Sequence, residues 1–124
     1  MTKTMKLLLV DDNDRIREMM RSIFSPHFEE VIECSDGSEA VTAFNDLIPD
    51  WVVMDIKMKT MDGIEATKKI ISSHPYAKVI IVSQFNDTST IEAVNNAGAI
   101  EFVSKENPYK VIEVINNKNQ RGKK

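Results

Sequence analysis

Leu7-Leu8-Leu9-Val10-Asp11-Asp12 sets four consecutive apolar residues directly before two carboxylates. An apolar run without polar alternation is the pattern of a parallel strand covered on both faces. Two more stretches repeat it: Trp51-Val52-Val53-Met54 ends at Asp55, and Val79-Ile80-Ile81-Val82 ends at Ser83. A weaker run, Ile100–Val103, leads through Ser104 to Lys105. In an open parallel sheet the strands deliver their carboxyl ends to one edge, where ligands bind. Three carboxylates, a hydroxyl and an ammonium are therefore expected to converge on one small site.

Helical periodicities fill the spaces between the runs. Ile16, Met19, Met20 and Ile23 recur at i, i+3, i+4, i+7 among Arg15, Arg17, Glu18 and Arg21, predicting an amphipathic helix. Val31-Ile32, set between glutamates, reads as a short strand. Asp36-Gly37-Ser38-Glu39 has the form of a capping box, opening a helix with Ala40, Val41, Phe44, Leu47 and Ile48 on one face and Pro49 at its end. A third helix is expected from Asp62-Gly63 to His74-Pro75, carrying Ile64, Thr67, Ile70 and Ile71 inward. A fourth runs from Asp87 or Thr88 through Ile91 and Val94 to Gly98. Asn107-Pro108 reads as an N-cap and an N1 proline before a last helix with Val111, Ile112 and Ile115 inward. Val114 falls off that stripe and is expected to offer an outside apolar contact.

Glu30, Glu33 and Glu101 interrupt the runs near Val31 and Ile100, as suits strands at the sheet edges. With those two outermost, right-handed crossovers leave the order 2-1-3-4-5. The predicted fold class is α/β: a doubly wound five-stranded parallel sheet with five helices. Asp11, Asp12 and Asp55 then meet where the winding reverses.

Composition narrows the function. The 124 residues make one domain's worth of chain. A net charge of −3 gives no general attraction to nucleic acid or anionic lipid. No apolar run approaches the roughly 18 residues of a membrane span, and Met1–Lys6 leads into a run too short for a secretory signal. Cys34 is the only cysteine, which fits a reducing cytosol. A cytoplasmic domain that contacts neither membrane nor nucleic acid directly is expected. Residues 1–117 read as that domain. Residues 118–124, with four basic residues and no apolar one, read as a flexible tail or the start of a linker to an output domain. His27 and His74 lie in turn-like segments without a metal partner at useful spacing.

Taken singly, each reactive residue has a plain structural role. Asp11 and Asp12 could cap a helix, Ser83 could satisfy a strand end, and Lys105 could be a solvated charge. Asp55 is harder to explain so, because it follows a fully apolar strand and a buried charge needs a partner. Their joint placement points to a shared metal and phosphoryl site. Two like charges about 4 Å apart repel by around 4 kcal/mol at an effective dielectric near 20, so three carboxylates need a cation or must raise a pKa. An all-oxygen set favours Mg2+. Asp55 could attack phosphorus to form an acyl phosphate. Lys105 would neutralise phosphoryl oxygens, and Ser83 would donate a hydrogen bond to one of them.

Leu8–Asp12, Met54-Asp55-Ile56-Lys57-Met58, Met61-Asp62-Gly63, Val82-Ser83 and Phe102-Val103-Ser104-Lys105 together resemble the receiver domain of two-component response regulators. The resemblance spans about residues 5–117 and is nearest in motif to the nitrate-regulator branch, whose members usually carry a C-terminal DNA-binding domain. It implies the flavodoxin-like fold, for which the 2-1-3-4-5 order is a known property. It implies Asp55 as the acceptor of a phosphoryl group from a histidine kinase or phosphotransfer protein. Asp11, Asp12, Asp55 and the backbone carbonyl of Lys57 would surround Mg2+. Ser83 would be the switch hydroxyl, Lys105 the phosphate-binding lysine and Phe102 the switch aromatic. Catalysis would be confined to the chain's own phosphorylation and dephosphorylation. Output would pass to a downstream protein or a second copy through the fourth helix, last strand and last helix.

The sequence departs from the family pattern at several points. Lys59 stands where proline is usual, Gln84 follows Ser83 where a small residue is common, and Glu106 rather than proline follows Lys105. Phe102 has no hydroxyl with which to bond outward. A second reading is a small haloacid-dehalogenase-like phosphatase, with Asp12 as nucleophile and Asp14 as acid/base, because Asp12-Asn13-Asp14 after an apolar strand resembles that family's Asp-x-Asp. Against it stand Ile16, where that family has threonine or valine, and a length with little room for a cap. A degenerate receiver that signals without phosphorylation is disfavoured by the complete set of five groups. A flavodoxin-like cofactor binder is disfavoured because no Ser/Thr/Gly-rich loop follows the first strand.

Overall fold

The computed structural model describes residues 4–122. Strands β1 (Lys6–Val10), β2 (Glu30–Cys34), β3 (Trp51–Met54), β4 (Val79–Ser83) and β5 (Glu101–Ser104) alternate with helices α1 (Asp14–Phe24), α2 (Gly37–Leu47), α3 (Gly63–Ser73), α4 (Thr88–Ala97) and α5 (Lys110–Gly122). All strand pairs are parallel and the order is β2-β1-β3-β4-β5. This is the flavodoxin-like architecture expected from the sequence. Every residue of β3 and β4 is buried, whereas β2 and β5 each bury one residue fully. Edge and centre thus follow the polarity of the runs.

Alternate residues of each strand feed two apolar layers. Leu7, Leu9, Trp51, Val53, Ile80 and Val82 pack against Met20 and Phe24 of α1 and Val111, Val114 and Ile115 of α5. Leu8, Val10, Val52, Met54, Val79 and Ile81 pack against Phe44 of α2, Ala66 and Ile70 of α3 and Val94 of α4. Each fully buried aliphatic side chain contributes roughly 1.5–3 kcal/mol, so the central strands are held from both sides. Val10 lies level with both Cys34 and Met54, and Ser83 lies level with Ser104. The four strand ends that carry Asp11, Asp55, Ser83 and Lys105 therefore finish on one edge.

The helix faces differ in detail from the periodicity. The inward line of α1 runs through Ile16, Met20, Ile23 and Phe24, which leaves Met19 on the flank and 40% exposed. Leu47 and Ile48 are exposed as well, because α2 ends there. Ile48 takes a left-handed conformation (φ 43°) that turns the chain toward Pro49 and away from the helix face. Val114, expected to point outward, is core: with Val111 and Ile115 it completes an i, i+3, i+4 stripe. Asn107 and Pro108 form a tight turn ahead of α5. The carbonyls of Asn107, Pro108 and Tyr109 accept from the N–H groups of Lys110, Val111 and Ile112, three residues on in each case.

Two helix ends behave as read. Asp87 caps α4, and Gly98 closes it at φ 102°, a conformation that favours glycine. At α2 the capping pattern is shifted: Asp36 accepts from Ser38 N–H, while Glu39 reaches back to the N–H of Ser35. The helix α5 continues through Gly122 and so overlaps the segment 118–124. Residues 123 and 124 lie outside the described residues. Among the described residues no helix is long and apolar enough to cross a membrane.

Candidate functional site

Asp11 follows β1 directly and is fully buried. Its N–H extends the pairing with β2 by bonding Cys34 O at 3.1 Å. Its Oδ1 accepts from Asn13 N–H at 2.9 Å, and the Asn13 side chain in turn caps α1 by accepting from Ile16 N–H at 3.0 Å. Asp55 follows β3 in the same way, with its N–H on Val10 O at 3.0 Å. Its carboxylate is 7% exposed as a residue, with Oδ1 accepting from Ile56 N–H at 2.8 Å. The loop after Asp55 closes at Gly63, whose N–H bonds Ile56 O at 2.7 Å. A Cβ at Gly63 would sit 1.9 Å from Asp55 O, so α3 can begin this close to the site only with glycine there.

Lys105 joins the two aspartates. Its N–H bonds Ser83 O at 3.0 Å across the ends of β4 and β5. Its Nζ donates to Asp55 Oδ2 at 2.9 Å and lies 3.1 Å from Asp11 Oδ2. Ser83 is fully buried, and its Oγ accepts from Phe85 N–H at 3.0 Å. Phe102, half-buried on β5, packs against the layer that contains Ile81 and Val94. Asp12 is half-buried beside this group. Oxygen atoms of Asp11, Asp12 and Asp55 all lie within 4.8 Å of one another.

Other candidates stand further out. Lys57 is exposed in the loop after Asp55, with its Nζ 5.2 Å from the ring centroid of Phe85. Gln84 is exposed. Asp14 is exposed on the first turn of α1 and bonded to Arg17 Nη2 at 2.9 Å. It is not part of the three-carboxylate group, and its carboxylate is engaged by the Arg17 guanidinium.

Electrostatically the cluster is under-compensated. Burial is the largest influence on the Asp55 carboxyl and raises it above the ordinary value. Repulsion by Asp11 adds to this, and the bonds from Lys105 and Ile56 do not cancel it. Burial alone would lower the Lys105 ammonium, but the hydrogen bonds and charges of Asp55 and Asp11 outweigh it and raise it. The Lys105 ammonium thus reaches two of the three carboxylates, Asp11 and Asp55. Asp11 Oδ2 is buried and, among the described residues, has no partner other than that ammonium. A buried, under-bonded carboxylate oxygen within 4.8 Å of two more carboxylates fits a hard divalent cation that takes oxygen ligands.

Two contributors were not singled out from the sequence. Asp36 accepts from Ser38 N–H at 2.9 Å with Oδ2, and from Thr60 N–H at 2.8 Å and Met61 N–H at 3.3 Å with Oδ1. It thereby braces the loop that follows Asp55. Its position two residues beyond the end of β2, on the same sheet edge, was the available signal. Arg17 donates to the carbonyl of Asp11 at 2.6 Å. Only its place among the polar residues of α1 was visible.

A profile of the response regulator receiver domain family matches residues 7–116. The chemotaxis protein CheY of Thermotoga maritima is 37% identical over 113 residues, covering 90% of this chain and 94% of the relative. The transcriptional regulatory protein LiaR of Bacillus subtilis is 37% identical over 102 residues, covering 81% of this chain and 48% of LiaR. Among solved structures, a LuxR-family two-component response regulator from Aurantimonas sp. superposes with a TM-score of 0.86 at 30% identity, covering 92% of this chain and 84% of that one. CheY in the CheX-CheY-BeF3-Mg2+ complex of Borrelia burgdorferi gives 0.84 at 28% identity, covering 90% and 86%. With a profile match over nearly the whole chain, the sheet order expected of the fold and relatives of this similarity, the chain belongs to the response regulator receiver domain family of two-component signalling.

Proposed function

We propose that Asp55 accepts a phosphoryl group from the phosphohistidine of a histidine kinase or phosphotransfer protein in the cytoplasm. An Asp55 oxygen attacks phosphorus, and the P–N bond breaks. The electron pair returns to the imidazole, which takes up a proton, and an acyl phosphate remains on Asp55. Lys105, already on Asp55 Oδ2 at 2.9 Å, passes to a phosphoryl oxygen as charge moves outward. Asp11, Asp12, Asp55 and the carbonyl of Lys57 would hold Mg2+, which when bound neutralises phosphoryl charge. That the Borrelia CheY, of the same fold, is found in a complex with BeF3 and Mg2+ supports a metal and phosphoryl site here. The observation that carries the reading is the contact of one half-buried lysine with two buried aspartates at the strand ends.

Ser83 then becomes the switch. Its oxygen now accepts from Phe85 N–H, and turning its O–H toward the phosphoryl group vacates space that Phe102 can enter. That change favours a downstream protein, or a second copy, on the face of α4, β5 and α5. The chain's only catalysis is the gain and loss of its own phosphoryl group. Residues 1–117 form the functional unit.

Melting curves with and without Mg2+ test the reading. The wild-type midpoint should rise with millimolar Mg2+ through binding linkage. Asp12→Ala, which relieves repulsion among the three carboxylates, should be about 1 kcal/mol more stable without metal and should lose most of the Mg2+ response. A wild-type midpoint indifferent to millimolar Mg2+ would overturn the metal site.

A further inference from the structure

Of the three arginines of α1, Arg17 alone is largely covered, its side chain 17% exposed against 58% for Arg21, with Arg15 exposed. Its guanidinium works in three directions. Nε bonds Glu33 Oε1 on β2 at 3.0 Å, Nη2 bonds Asp14 Oδ1 at 2.9 Å, and Nη1 bonds the carbonyl of Asp11 at 2.6 Å. The first two contacts tie α1 to the edge strand and to its own first turn. The third belongs to the acidic site. The Asp11 carbonyl lies in the peptide plane that also contains the N–H and Cα of Asp12, and that plane does not bend. The other side of Asp11 is already fixed, because its N–H bonds Cys34 O and its Oδ1 accepts from Asn13 N–H. Holding the carbonyl therefore fixes the Asp12 Cα from one side, and the bond of Asn13 N–H to Asp11 Oδ1 limits rotation about it from the other, so that together they aim the Asp12 side chain.

We propose that Arg17 is a positioning residue for the acidic site: by clamping the Asp11–Asp12 peptide it sets the spacing of the carboxylates that take a divalent cation. The proposal rests on the metal-binding reading above. Groups that orient metal ligands from outside typically change metal affinity on the order of 10–100-fold when removed. A planar fork spreads its donors over three nitrogens in fixed directions, whereas an ammonium offers its three from one nitrogen. The Glu33 arm provides the internal control, since it shares the guanidinium without touching the site.

Calorimetric titration of the full chain with Mg2+, together with amide spectra of the metal-free protein, separates the roles. Arg17→Met should weaken Mg2+ binding on the order of tenfold or more, and Arg17→Lys should restore part of it. Glu33→Gln should leave the affinity within about twofold while lowering the melting temperature. Without metal, the Asp12 and Asn13 amides should shift in Arg17→Met and stay in place in Glu33→Gln. Unchanged affinity in both Arg17 variants would overturn the proposal. So would an equal loss in Glu33→Gln, which would reduce Arg17 to a strap between α1 and β2. If the wild type itself bound no Mg2+, the metal reading would fail, and the metal-free amide shifts would still decide whether Arg17 holds the peptide.

Discussion

Asp36 holds two loops with one carboxylate, bonding Ser38 on one side and Thr60 and Met61 on the other. Burial pulls its carboxyl upward, but those hydrogen bonds outweigh it and hold the value down at about 2, against an ordinary 3.8. Because the folded value lies below the unfolded one, its stabilising contribution is complete above about pH 4 and is lost as pH falls toward 2. Asp36→Asn keeps the shape and loses acceptors. It should cost about 1–2 kcal/mol at neutral pH and flatten the stability profile between those limits, as measured by urea unfolding at each pH. The same bonds explain how the loop after Asp55 keeps its course with Lys59 where the family usually has proline.

Lys57 and Phe85 act at the same scale. Their contact at 5.2 Å is of cation–π type and joins two exposed side chains from the loops that follow Asp55 and Ser83. Hydrolysis of an acyl phosphate needs a water in line with phosphorus, and neither side chain is an acceptor that could orient one. Self-dephosphorylation should therefore be slow. Lys57→Asn and Phe85→Ala should each speed decay of the purified phosphoprotein severalfold, and the pair more so, followed by loss of phosphate over time. Faster decay in wild type than in the double variant would mean that these side chains assist the water.

At the scale of elements, β4 and β5 link the site to α4 and α5. Ser83 is level with Ser104, and Phe102 lies opposite Ile81 two residues earlier. On the proposed switch, a movement of the Ser83 hydroxyl should be felt one strand away. Beryllofluoride with Mg2+ should shift amides from the site loops into residues of about 87–117. Shifts confined to the site loops would exclude this face as the switch. On that face Val114 lies in the core rather than at the surface, while Tyr109, 63% exposed, is a large apolar side chain that the segment offers outward.

Element order and sheet order were legible because uninterrupted apolar runs mark central strands and glutamates mark edges. Helix faces were legible only to within a residue. Spacing alone left Met19 and Val114 on the wrong side of the helix edge, and it could not foresee that Ile48 would turn left-handed and expose the end of α2. The five reactive groups were legible because strand ends collect them. Arg17 and Asp36 were not, because their decisive partners are backbone groups, and the Thr60 N–H lies 24 residues from Asp36.

At the scale of the molecule, two apolar layers clamp one sheet and leave its carboxyl edge to carry the chemistry. The match spans 94% of one relative and 48% of another, so a unit of this kind makes up nearly all of the first and about half of the second. On the proposed function, what makes it a switch is a single transfer to a single carboxylate, Asp55. The most direct measurement is to incubate the chain with acetyl phosphate and Mg2+ and locate the phosphoryl group by mass spectrometry of its peptides. Wild type should carry one phosphoryl group, on Asp55, and Asp55→Asn should carry none. Label on Asp12, or undiminished label in Asp55→Asn, would contradict the account.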